Sequence, residues 1–290
     1  MTGRPAAQLW ALLALQIGLT LAASLLAIRA AGASSLMLAV QAGAGVVAVI
    51  LLIAAARWAP ARDGAQTTLV MAVCLGVLIL TLLFGITVDG ATRWIAIGPL
   101  LLHLASIFLP AAVWTFALRP ATLPSLLLCA GIAAVLAAQP DGGAAVAFAL
   151  AVVARLWVHR ARLDLASAAV ALIAAVWAWT RPDSLLAVSY VEEVVSTAFA
   201  ALPVVGVFAG LMLALLPAPF LIAGFKTTSA APLALGALWG GFILAGIFGN
   251  FPTPVIGYGA SPLLGWCVSF GLLLAHLAGA KASLSAEGRP

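Results

Sequence analysis

Apolar residues run through this chain in long unbroken blocks rather than in alternation. The blocks lie near 9–28, 36–56, 68–87, 95–118, 123–138, 144–158, 165–180, 196–224, 231–249 and 263–280, each bounded by charge, Gly or Pro. A helix needs ~20 apolar residues to cross the hydrocarbon of a bilayer, so the pattern predicts ten transmembrane helices. Three segments, 123–138, 144–158 and 165–180, are short for a core of ~30 Å and must recruit flanking residues, tilt little or thin the bilayer. Barrel strands would alternate lipid-facing and lumen-facing residues over about ten positions, which these blocks do not do. The expected fold class is all-α: a polytopic integral membrane protein forming one transmembrane domain over 1–290.

Composition agrees with the pattern. With 65% hydrophobic and 7% charged residues, the chain lacks the polar surface to coat a water-soluble globule. The block after "MTGRPAAQ" continues to Ile28 without a compelling A-x-A cleavage site, so it reads as a retained first span and not a signal peptide. Cys74, Cys129 and Cys267 fall far apart inside apolar blocks, as small buried hydrophobes do, and do not suggest a disulfide framework or a metal site.

Charge then orients the bundle, because cytoplasmic loops carry the excess of Lys and Arg. With the N-terminus inside, ten cations fall on the cytoplasmic side: Arg4, Arg57, Arg62, Arg119, Arg155, Arg160, Arg162, Lys226, Lys281 and Arg289. Only Arg29, Arg93 and Arg181 fall outside. Both termini are therefore expected in the cytoplasm of a bacterial cell, with the chain in the inner (plasma) membrane. The net charge of +5 is topological and needs no nucleic acid to explain it. Five of the eight acids, Asp89, Asp141, Asp183, Glu192 and Glu193, are expected to face out, where outward-facing chemistry would use carboxylates.

Three outer stretches resemble, in order, those of the SEDS (shape, elongation, division and sporulation) family. "GATRWIAIG", Gly90–Gly98, is similar to the family's amphipathic approach to span four. "QPDGGAA", Gln139–Ala145, is similar to its Gln-Pro-Asp-x-Gly-Thr turn, and "GNFPTPVIGYGASPLLG", Gly249–Gly265, to its last outer loop. Ten spans and inside termini fit that family. Departures are equally plain. Where the family continues after Gly98 with Gln-Pro-Ser-Glu and then Lys, this chain has His103, Leu104, Ala105 and Ser106, then Leu109. The large outer loop before span eight is cut to "RPDSLLAVSYVEEVV".

The resemblance implies glycan polymerisation from a lipid-linked peptidoglycan precursor, beside a single-span transpeptidase of the penicillin-binding type and among membrane lipids. Such chemistry needs a base within ~3 Å of the acceptor hydroxyl and positive charge at the leaving pyrophosphate, from Arg or a divalent cation. Ungapped alignment on "LPVVG", Leu202–Gly206, puts Glu192 at the family's catalytic aspartate and keeps span eight continuous. Alignment on Glu192–Glu193 as the family's Glu pair instead puts Ser184, beside Asp183, at that place. Glu192 is thus the expected base with Asp183 as the alternative, and Arg93 and Arg181 the expected pyrophosphate ligands.

Plainer roles compete for each residue. Asp141 lines the substrate by resemblance, or simply caps the next helix through its side-chain oxygen. Arg93 beside Trp94 also fits an interfacial anchor, and Glu192–Glu193 fit first-turn acids. His103 reads as a packed or helix-bridging polar group, and His159 and His276 as span-end residues. Gly257, Gly259 and Ser261 read as a sharp turn that lines substrate by resemblance. "LLPAPF", with Pro217 and Pro219, should break or kink span eight, while "GAGVVA" and "GALWGG" allow close helix approach. Two rival functions stand beside the polymerase: a non-catalytic scaffold for a cell-wall synthase, and a transporter of the lipid-linked precursor.

Overall fold

A computed structural model describes residues 4–58, 64–98, 100–181 and 186–287. Arg62, Asp63, Asp183, Ser184 and Arg289 lie outside them. The described chain is a helical bundle of α1 (Arg4–Ala30), α2 (Ser35–Arg57), α3 (Gly64–Phe84), α4 (Leu104–Ala117), α5 (Leu123–Ala138), α6 (Gly142–His159), α7 (Arg162–Thr180), α8 (Val194–Ala201), α9 (Pro203–Leu215), α10 (Ala218–Thr227), α11 (Ala230–Phe248) and α12 (Ala260–Glu287). Eight helical stretches, α9 and α10 counting as one, are long and apolar enough to cross a membrane, and α4 and α5 are shorter apolar helices. The chain is an all-α, multi-pass membrane protein.

Two segments depart from the hydrophobic pattern. The block expected to be helical from residue 95 begins instead as a three-stranded antiparallel sheet, β1 (Ile86–Val88), β2 (Ala91–Ile97) and β3 (Leu100–Leu102), and α4 starts only at Leu104. Asp89 and Gly90 both take positive φ, the geometry of a two-residue hairpin turn, which an Asp-Gly pair favours. The second departure lies in span eight. Leu202 precedes Pro203, which disfavours helical backbone at Leu202, and Leu202 is extended at φ −151°, ψ 96°. α8 therefore ends there and packs back on α9, so closely that a Cβ on Gly206 would lie 2.3 Å from Phe199 Cα. As the prolines predict, the span breaks again between α9 and α10.

α4 is buried almost all round, which explains how a helix of only 14 residues, about 21 Å long, fits in the bundle. It packs on α3, α11 and α12, while α6 packs on α7 and α11 and α12 on α2. Their shared core is built on the fully buried Trp114, Trp239 and Trp266. Two of the indoles donate hydrogen bonds, Trp239 Nε1 to Ser269 Oγ at 3.0 Å and Trp266 Nε1 to the Leu216 carbonyl at 3.2 Å. A second apolar cluster joins α1, α8 and α9 to Ile256.

Candidate functional site

The sheet positions the first site residue. Burial alternates along the start of β2, Ala91 and Arg93 inward and Thr92 and Trp94 less so, as a strand's period of two requires. Arg93 is only 3% exposed, and its guanidinium donates to the Pro140 carbonyl in the α5–α6 turn and lies 5.2 Å from the Phe251 ring. The resembling stretches around Arg93, Gln139–Ala145 and Gly249–Gly265 thus meet at one end of the bundle.

Asp141 fills two roles at once. Its Oδ1 accepts the Ala144 N–H at 3.1 Å, capping α6 as the sequence allows. Its Oδ2 lies 2.7 Å from His103 Nε2. Burial would push the carboxyl pKa up, but His103, Arg93 and the Ala144 N–H outweigh it and hold Asp141 below its ordinary value. His103, the residue ahead of α4, is fixed further by its backbone N–H donating to Ser261 Oγ at 2.9 Å. The sequence marks His103 only as a bridging group; its departure from the family's Gln was the available signal.

The Gly249–Gly265 loop is tied down from three sides. Buried Gln41 accepts the Gly259 N–H and donates to Ser24, whose hydroxyl donates to the Ile256 carbonyl. The segment before α8 pairs with it, Thr253 N–H to Val191 O at 3.1 Å, Tyr258 N–H to Tyr190 O at 2.8 Å and Thr253 Oγ1 to Glu192 O at 2.8 Å. Gly257 sits where a Cβ would lie 2.5 Å from the Val191 carbonyl oxygen, so the pairing requires glycine there. The Glu192 carboxylate accepts the Val188 N–H at 2.8 Å, which stitches its own loop.

These elements enclose a cavity of about 370 Å³. Arg93, His103, Asp141, Glu192, Gly257, Gly259 and Ser261 all line it, with Tyr190 and Tyr258 beside them. Burial, with a smaller push from Tyr190, raises the Tyr258 phenol above its ordinary pKa. Arg181 is not among the lining residues; its guanidinium lies 5.7 Å from the Trp177 ring. Glu193 is exposed and does not line the cavity. The break at Leu202 removes the continuity of span eight on which the alignment of Glu192 leaned. Among the described residues no three His, Cys, Asp or Glu side chains cluster as metal ligands.

In structural comparison the chain matches rod shape determining protein RodA of Thermus thermophilus with a TM-score of 0.62 and 18% identity, over 91% of this chain and 95% of that one. It matches a chain from the structural coordination of polymerization and crosslinking by a peptidoglycan synthase complex at TM-score 0.61 and 20% identity, over 91% and 97%. The fold is SEDS-like, as the three stretches suggest. No family model matches the sequence, and no curated protein matches it.

Proposed function

We propose that this chain works in bacterial peptidoglycan synthesis, polymerising glycan strands from a lipid-linked disaccharide pyrophosphate at the outer face of the plasma membrane. The observation that carries the reading is the cavity at one end of the bundle, which collects a buried Arg, a His–Asp pair and Glu192 around the loop that resembles the family's. The RodA-like fold supports it. In the reaction the acceptor hydroxyl loses its proton to a base and attacks the anomeric carbon of the donor sugar. The pyrophosphate leaves, and Arg93 is the cavity's cation nearest that task. Glu192 is the base put forward by alignment, with Asp183 as the alternative; Arg181 is the second pyrophosphate ligand that the resemblance implies. A single-span transpeptidase is the proposed partner.

A scaffold that has lost the reaction is the second reading. It is favoured by Leu109, which stands where the family has Lys and is fully buried in the apolar core, so no charge returns to that place. Purified protein, alone and with a transpeptidase partner, incubated with the lipid-linked disaccharide, separates the two. Glycan polymer on a gel supports the polymerase. A folded protein that binds its partner and makes no polymer is the scaffold.

A further inference from the structure

The geometry points to His103, oriented by Asp141, as the proton acceptor of this cavity. The inference rests on the polymerase reading and names the base within it. Three observations carry it. Asp141 Oδ2 lies 2.7 Å from His103 Nε2, while the other carboxylate oxygen is held by the Ala144 N–H, so the carboxylate is fixed at both ends. Asp141 is 2% exposed and the His103 side chain 18% exposed, so of this cavity-lining pair the imidazole is the accessible member. The backbone of His103 is pinned to Ser261, so the ring is presented by a rigid element.

An ionised Asp141 accepts a hydrogen from Nε2–H, and that selects the tautomer whose lone pair is on Nδ1. Among the described residues Nδ1 has no hydrogen-bond partner. The arrangement of base and orienting carboxylate is the one general-base chemistry uses on unrelated folds. Glu192, by contrast, spends an oxygen on the Val188 N–H in its own loop.

The step balances without a further reagent. The acceptor hydroxyl gives its proton to Nδ1, and its oxygen forms the new bond to the anomeric carbon. The bond from that carbon to the pyrophosphate oxygen breaks, and the electron pair leaves with the lipid pyrophosphate. The imidazolium, stabilised while it lasts by Asp141, returns its proton to water. The charged and titratable groups that share the cavity with the imidazole are Asp141, Glu192, Arg93, Tyr190 and Tyr258, and of these Asp141 is in hydrogen-bond contact with it.

The test compares variants of the full chain in the polymerisation assay. His103→Gln keeps a donor for Asp141 but has no base, and it restores the residue that the SEDS pattern carries there. It should lower kcat by ~10²–10⁴-fold with KM little changed, and free imidazole should restore part of the activity of His103→Ala. Glu192→Gln should cost less than His103→Gln, because its amide oxygen still accepts the Val188 N–H. If either His103 variant fails to fold, carbethoxylation of the wild type replaces it: inactivation should track modification of the His103 peptide and be slowed by substrate. Wild-type turnover in His103→Gln, or activity that survives complete modification of His103, would overturn the assignment and leave the polymerase standing. A wild type that makes no polymer under any condition removes both.

Discussion

Arg155 and Asp164 form an ion pair closed off from solvent on both sides, at 1% and 0% side-chain exposure. Each partner also satisfies backbone. Arg155 donates to the Phe116 carbonyl at 2.8 Å and the Arg119 carbonyl at 2.7 Å, while Asp164 accepts the N–H groups of Ala121 and Ala161. One pair thus joins α6 to the ends of α4 and α7 and the start of the α4–α5 connection.

Removing one member leaves the other buried and uncompensated, which costs about 3–5 kcal/mol in comparable pairs. Asp164→Ala should therefore lower the unfolding midpoint in detergent steeply. Asp164→Asn, which can still accept a backbone N–H, should do so less. The double variant R155M/D164N, with no charge left to strand, should recover part of the loss. A midpoint for Asp164→Ala equal to the wild type's would remove the pair from the stability of this end.

Gly265 governs the other end. A Cβ there would lie 1.8 Å from the Ser106 carbonyl oxygen, a backbone atom that cannot swing aside. Gly265→Ala must push α12 from α4, with a cost on the order of 1–3 kcal/mol for overpacking. Because Ser261 on α12 holds the His103 N–H, the same substitution should reduce polymerisation by more than its loss of folded protein explains. Gly240→Ala, where a Cβ meets nothing within 4 Å, serves as the control and should hold or raise the midpoint. Thermal unfolding and activity per folded molecule, measured on both variants, decide it.

How far the sequence could be read follows from the same contacts. Helices flanked by charge or Gly, such as α2 and α7, end within a few residues of their apolar blocks, because solvation of the flanking groups sets the boundary. The block from 95 was misleading since Ile95, Ala96, Ile97 and Leu100–Leu102 are as apolar as a helix, and apolar runs alone do not separate strand from helix. Asp89-Gly90 was the missed hairpin signal, and Leu202-Pro203 the missed helix break. Within the site, Arg93, Asp141, Glu192, Gly257, Gly259 and Ser261 came from local resemblance, which places residues on loops. The pairing of His103 with Asp141 spans 38 positions and depends on how α4 meets α6, which no local pattern encodes.

Asp141 should make stability pH-dependent in a defined direction. Its folded pKa lies below the ordinary 3.8, because His103, Arg93 and the Ala144 N–H outweigh burial. The folded state therefore binds this proton less readily than the unfolded chain. The stabilisation is complete above the ordinary value and is lost as pH falls through the folded one. The unfolding midpoint should hold above about pH 5 and drop as the pH falls below the ordinary 3.8 in the wild type, and drop less in Asp141→Asn. At neutral pH, Asp141→Asn keeps the cap and Asp141→Ala loses ~1 kcal/mol more with it. Identical pH dependence in wild type and Asp141→Asn would show that the carboxylate is not a linked group.

The last prediction concerns which way the cavity faces, since polymerisation outside the cell requires it to open there. The ten-to-three division of Lys and Arg is the ground for expecting the Arg93, Asp141 and Gly259 end outside. Asp141 itself is a poor reporter because a cysteine at that buried place would not meet reagent. Leu186, 88% exposed just ahead of the site loop, is a good one, and exposed Lys226 at the end of α10 marks the other side. The native Cys74, Cys129 and Cys267 are all buried and should contribute little background. In intact cells a membrane-impermeant maleimide should label Leu186→Cys at once and Lys226→Cys only after permeabilisation. The reverse labelling would turn the cavity toward the cytoplasm, where its base and cation would meet the precursor before export, and would remove extracellular glycan polymerisation from the functions this chain can perform.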